Sequence, residues 1–189
     1  GLFKRHFGIS RDSPEGWEAI GNIARFLGQY HQNGVFQNTP RLVRARLENG
    51  VMRYSFDDFD RFFGTFIDAG VNANIQGGNL MSRERRKGAT IMVEAWVEEN
   101  GQPVLTRIPL EDPRSRAFLN SYLPALYLHL RAKGWEKKYM QGVMDEPTEL
   151  ETEAFAEVAE LVRKHMPGVR IVEPMSLRLN PDFLSRHID

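Results

Sequence analysis

Two carboxylates stand side by side at Asp145-Glu146, after Tyr139-Met140-Gln141-Gly142-Val143-Met144 and directly before Pro147. Adjacent carboxylates suit a reaction in which one group is protonated near neutral pH while the other stays ionised, because a neighbouring anion raises the first one's pKa. The residues before the pair read as a short buried strand. Pro147 cannot donate to a sheet and biases Glu146 towards extended backbone. The pair is therefore expected on the rim of a sheet, at a strand's carboxyl end, where α/β enzymes place their chemistry. The plainer alternative is a strand terminator that opens the next helix with acidic residues.

Other residues fall at comparable exits. Gln76 and Asn79 flank Gly77-Gly78 after a second apolar run; they are candidates to hydrogen-bond a ligand, with loop capping the alternative. The two glycines let the backbone turn sharply or let a ligand approach closely. Arg41 follows the first strand's exit and Glu173 ends the strand after the Asp-Glu pair, so both are candidates for the same rim. Trp96 is either a stacking platform or a packed side chain. No clustered His pattern at metal spacing and no nucleophile elbow is present. The chemistry therefore calls for no metal or other cofactor.

These residues need a scaffold that brings strand ends together, and the order of elements supplies one. Ser13-Pro14-Glu15 starts a helix, with Ser as cap and Pro in the first turn. Trp17, Ile20, Ile23, Ala24, Leu27 and Tyr30 recur at helical spacing up to Gly34, read as its cap. A strand over 35–38 follows, then a loop or small hairpin over 41–53 turning at Asn49-Gly50. A second helix opens near Tyr54, with Phe59, Phe62, Phe63, Phe66 and Ile67 as its core stripe. A strand over 71–76 leads to the glycine exit and a charged loop over 82–87. Two further strands, 91–97 and 104–108, meet through Asn100-Gly101 as an inserted β-hairpin, bounded at 88–110. Asp112-Pro113 starts a third helix, in which Pro124 predicts a kink or break. The strand before Asp145, a fourth helix over 148–166 and a strand over 169–173 complete the pattern.

Without the hairpin, the order α, β, α, β, α, β, α, β argues for a parallel sheet. Four units of roughly 40 residues are about half of an eight-stranded (β/α) TIM-type barrel. Residues 177–189 contain no complete further unit. The expected architecture is thus a single α/β domain over 1–189, about half of a barrel, whose open edges need a second copy or the remainder of a barrel to cover them.

Composition narrows the partners. Lys+Arg 25 against Asp+Glu 25 gives no net charge over 189 residues, so no basic excess exists to neutralise nucleic-acid phosphates. No apolar run approaches the roughly 20 residues that span a bilayer. Cysteine is absent, which excludes disulfides and thiolate sites. The chain starts at Gly1 without a targeting segment; a secreted or periplasmic location is compatible with what is present.

Tyr30-His31-Gln32-Asn33, Gln76-Gly77-Gly78-Asn79-Leu80, Leu123-Pro124-Ala125-Leu126 with Leu130 and Lys133-Gly134-Trp135, and Asp145-Glu146-Pro147 occur in that order. Together they resemble the catalytic barrel of glycoside hydrolase family 123, over roughly residues 28–173. The resemblance implies a β-N-acetylgalactosaminidase-like glycosidase with a retaining, substrate-assisted mechanism, an exception to the usual two-carboxylate scheme. By position, Glu146 is then the general acid/base and Asp145 orients the substrate's acetamido group. A non-catalytic carbohydrate-binding or structural relative is the alternative.

Overall fold

The computed structural model describes residues 2–84, 90–174 and 181–189. Expectations that fall on 85–89 and 175–180, including the end of the charged loop and the start of the 88–110 insertion, lie outside these residues.

A short helix, α1 (Leu2–Phe7), precedes α2 (Pro14–Gln29), whose Ser13 cap accepts from Gly16 N–H. The helix does not run on to Gly34. His31 takes the left-handed position (φ 58°), while His31 N–H bonds Gly28 O at 3.1 Å and Gln32 N–H bonds Leu27 O at 3.0 Å. That is a Schellman stop with histidine where glycine is usual. It frees Gly34 to begin β1 (Gly34–Gln37). A 3-10 turn over Thr39–Leu42 leads to the hairpin of β2 (Arg44–Glu48) and β3 (Val51–Ser55). Asn49 (φ 52°) and Gly50 (φ 76°) form its turn, the backbone a two-residue hairpin needs. Tyr54 and Ser55 thus belong to a strand, and α3 (Asp57–Asp68) begins later than its sequence predicts.

After β4 (Asn74–Gly77) comes β5 (Met81–Arg83), a strand where a loop was expected. It pairs antiparallel with β6 (Ile91–Glu99), which pairs with β7 (Gln102–Pro109), so the insertion is a three-stranded sheet. Then α4 (Pro113–Lys133) runs unbroken through Pro124. Proline there costs about 3 kcal/mol. The fully buried row Leu119, Leu123, Leu126 and Leu130 offsets that cost by packing. The chain continues as β8 (Tyr139–Gln141), a 3-10 turn over Glu149–Glu151, α5 (Thr152–His165), β9 (Arg170–Ile171) and α6 (Pro181–His187).

The mixed α/β fold centres on a four-stranded parallel sheet in the order β1-β4-β8-β9. Its two faces differ. Val35, Ile75, Gly77, Tyr139, Gln141 and Ile171 are buried on one side. The register row Phe36, Gln76, Met140 and Arg170 crosses the other, where Phe36 is 56% exposed. The glycines of the second exit serve close packing between strands. A Cβ at Gly77 would lie 2.0 Å from the Tyr139 hydroxyl oxygen, and one at Gly78 would lie 2.6 Å from Asn38 Cα. Among the described residues no helix is long and apolar enough to cross a membrane.

Candidate active site

The exit of β8 stays zipped to the exit of β4 beyond the formal strands. Gly142 N–H bonds Gly77 O, Leu80 N–H bonds Gly142 O, and Met81 N–H bonds Val143 O at 3.0 Å. On its other side Val143 and Met144 donate their N–H groups to one oxygen of Glu173, Met144 from 3.0 Å. Val143 and Met144 are buried, and the chain then breaks to the surface at Asp145 and Glu146, both exposed. Glu146 is not extended as Pro147 suggested; it adopts φ 45°, a left-handed conformation that a non-glycine residue holds only when its surroundings enforce it.

Arg83, at the end of β5, grips this turn. Its guanidinium donates to Asp145 O at 3.1 Å and to Glu146 O at 2.5 Å. The same group grips Glu151 at 2.5 and 3.2 Å. Glu151 is 4% exposed and accepts from both Thr148 N–H (2.7 Å) and the Thr148 hydroxyl (2.6 Å). Burial works to raise the Glu151 carboxyl, but the bonds from Arg83 and Thr148 outweigh it and hold it below the usual range. The Asp-Glu turn is therefore braced by the inserted sheet on one side and by Glu173 on the other; Glu173 does not end the strand as expected but lies two residues beyond β9.

Glu173 sits beneath the turn, not in an open cleft. Burial pushes its carboxyl up to about 7; the Val143 and Met144 amides oppose this, and the Asp145 charge adds to the rise. Its second oxygen is buried without a hydrogen-bond partner among the described residues.

A cleft of about 650 Å³ opens at the exits of β1 and β4, with Phe36, Asn38, Arg41, Asn79, Arg83 and Arg107 in its wall; Asp145 and Glu146 are not part of that wall. Arg83 is thus shared between the cleft and the carboxylate turn. Arg41 reaches the cleft but is already engaged: it bonds Glu94 through Nε and Nη2 at 2.8–2.9 Å. Asn38 Nδ2 donates to the same carboxylate at 2.6 Å. Arg107 bonds the Ser82 hydroxyl at 2.8 Å. Gln76 lies apart from this wall, in the half-exposed row of the parallel sheet. Trp96 donates its indole N–H to Pro40 O at 3.0 Å and packs against the core, so it braces the first exit. Among the described residues no cluster of three or more His, Asp or Glu could hold a metal ion.

Of the residues singled out in the sequence, the structure gathers Asp145, Glu146 and Glu173 around one strand exit and puts Arg41 and Asn79 in the cleft wall; the sequence did not single out Arg83, Glu94 and Glu151, which bind them or brace the turn. For Glu151 a signal existed, because Thr148-Glu149-Leu150-Glu151 is a capping box. Nothing local to Arg83 or Glu94 marks their partners, which lie 53 to 68 positions away.

Residues 18–181 match the family model described as the catalytic domain of glycoside hydrolase 123. The chain belongs to glycoside hydrolase family 123. Every candidate residue above falls inside the matched stretch. No curated protein matches the sequence. A solved family 123 glycoside hydrolase from Clostridium perfringens, described for glycolipid glycan hydrolysis, is similar in fold. The TM-score is 0.69 at 15% identity, and the likeness covers 100% of this chain and 35% of that one. The family 123 chain described here thus spans about a third of that structure's length.

Proposed function

We propose that this chain forms part of a (β/α) barrel glycosidase that removes terminal β-linked N-acetylhexosamine, N-acetylgalactosamine preferred, with retention of configuration. The observation that carries the reading is the Asp145-Glu146 pair, exposed at the carboxyl end of a central parallel strand in a chain of this family. The open row of Phe36, Gln76, Met140 and Arg170 supports a barrel interior completed by further strands. In that setting Gln76 faces the lumen and Asn79 and Arg41 approach the sugar from the cleft, while Glu173 supports from below.

In this mechanism the substrate's acetamido oxygen attacks its own anomeric carbon. The glycosidic C–O bond breaks, and the departing oxygen takes the electron pair and the Glu146 proton. Asp145 accepts a hydrogen bond from the acetamido N–H and stabilises the positive charge that develops there. Water then gives a proton to Glu146 and attacks the anomeric carbon from the face the aglycone left, reopening the ring and restoring the acetamide. Two inversions give retention, and no nucleophile from the protein is consumed.

The test is hydrolysis of aryl β-N-acetylgalactosaminide and β-N-acetylglucosaminide by the full-length protein and its Glu146→Gln variant. Activity lost in the variant supports the assignment. A folded wild type inert towards both substrates favours the non-catalytic, carbohydrate-binding reading.

A further inference from the structure

We propose that Arg83, held by Glu151, is a positioning residue for Glu146: the inserted sheet exists at this point to lock the turn that presents the acid. The inference rests on the glycosidase reading above for its catalytic consequence, but its structural core stands apart from it.

Three observations converge. First, one guanidinium makes four hydrogen bonds, two to the Glu151 carboxylate and two to the consecutive carbonyls of Asp145 and Glu146. A planar fork with five N–H donors can meet both oxygens of a carboxylate and two carbonyls at once. Secondly, the carbonyls belong to the residues at the apex of the turn, and Glu146 holds a left-handed φ of 45°. Such a conformation costs of order 1–3 kcal/mol in a non-glycine residue and persists only where the surroundings over-determine it. Thirdly, Glu151 is nearly buried and is itself fixed by the Thr148 box immediately after Pro147. Arg83 therefore cannot swing away without leaving that carboxylate buried and unpaired. Its bonds reach the backbone carbonyls, not the carboxylates, so the arginine fixes where Glu146 points and leaves its acid free for the substrate.

The experiment uses the full-length protein with Arg83→Met, Arg83→Lys, the double variant Arg83→Met with Glu151→Gln, and Glu146→Gln. The double variant guards against misfolding, since it removes the buried unpaired charge together with its partner. Turnover of aryl β-N-acetylhexosaminides is expected to fall about 100-fold in kcat for Arg83→Met, with KM within about threefold, as for misplacement of a reacting group. The lysine variant is expected to recover part of this, because it restores the charge without the fork. The double variant is expected to fold and to stay as slow as Arg83→Met. In parallel, amide hydrogen exchange across residues 142–150 is expected to accelerate in both methionine variants.

A raised KM with unchanged kcat would overturn the proposal, since it marks a direct substrate contact. Wild-type kcat in the double variant would also overturn it, by reducing Arg83 to a counterion of Glu151. So would unchanged exchange over 142–150. If Glu146→Gln turns over like the wild type, the glycosidase reading fails, and the exchange measurement still decides whether Arg83 holds the turn.

Discussion

One carboxylate oxygen of Glu173 accepts the Met144 N–H from 3.0 Å, tying the segment that follows β9 to the residue just before the Asp145-Glu146 turn. The other oxygen is buried without a partner among the described residues. This relationship makes the support beneath the turn sensitive to pH.

Burial holds the Glu173 carboxyl at about 7, against an ordinary value of 4.5. Between these values the folded chain keeps a proton that the unfolded chain has released. Its contribution to stability is therefore full below the unfolded pKa, declines as pH rises, and is gone above about 7. The size is about 3 kcal/mol from a shift of this order. Glu173→Gln keeps a neutral side chain at every pH, so it should flatten this slope. Urea unfolding of both proteins at mildly acidic and mildly alkaline pH checks it; parallel curves would show that Glu173 does not titrate in this window.

Glu146→Gln should lose more on substrates with poor leaving groups than on activated ones. A sugar alkoxide needs a proton to depart, whereas a nitrophenolate does not. General acid catalysis contributes roughly 10²–10⁴-fold. The fall in kcat/KM should approach the upper end for a disaccharide and the lower end for a nitrophenyl glycoside. Equal losses on both would argue that Glu146 does not protonate the leaving group.

Arg41 and Glu94 form a three-bond pair across the cleft wall, joined by Asn38. Arg41 is largely exposed, so solvent screens the pair. A double-mutant cycle with Arg41→Ala and Glu94→Ala should give a coupling of about 1 kcal/mol that shrinks in high salt. A coupling near zero at low salt would make the pair a bystander.

Gly77 should tolerate no side chain, because an added Cβ meets the Tyr139 hydroxyl oxygen at 2.0 Å and its ring carbon at 2.8 Å. Gly77→Ala should cost about 2–3 kcal/mol, as overpacking does. Adding Tyr139→Phe removes the nearer clash, so part of that loss should return and the two changes should be non-additive by about 1 kcal/mol. Gly78→Ala faces Asn38 backbone at 2.6 Å and should not be relieved this way. Thermal melts of the four variants separate these cases; strict additivity would place the strain elsewhere.

The sequence alone determined the features whose causes are local. Apolar spacing marked the helices, Asn49-Gly50 and Asn100-Gly101 marked the hairpin turns, and the alternation of elements implied a parallel sheet. The Asp145-Glu146-Pro147 triplet marked a strand end, and ordered motifs pointed to the family. Tertiary structure decided what depends on groups distant in sequence. Glu146 turns left-handed where Arg83, 63 positions away, bonds its carbonyl. Glu173 is perturbed because β9 lies beside β8, which buries its carboxylate under their exits. Pro124 leaves α4 unbroken because the leucines around it are fully buried. Met81-Ser82-Arg83, at the start of a charged stretch, become β5 because β6 offers them a ladder. In each case the local preference is worth a few kcal/mol at most, and packing or hydrogen bonding from a remote segment outweighs it.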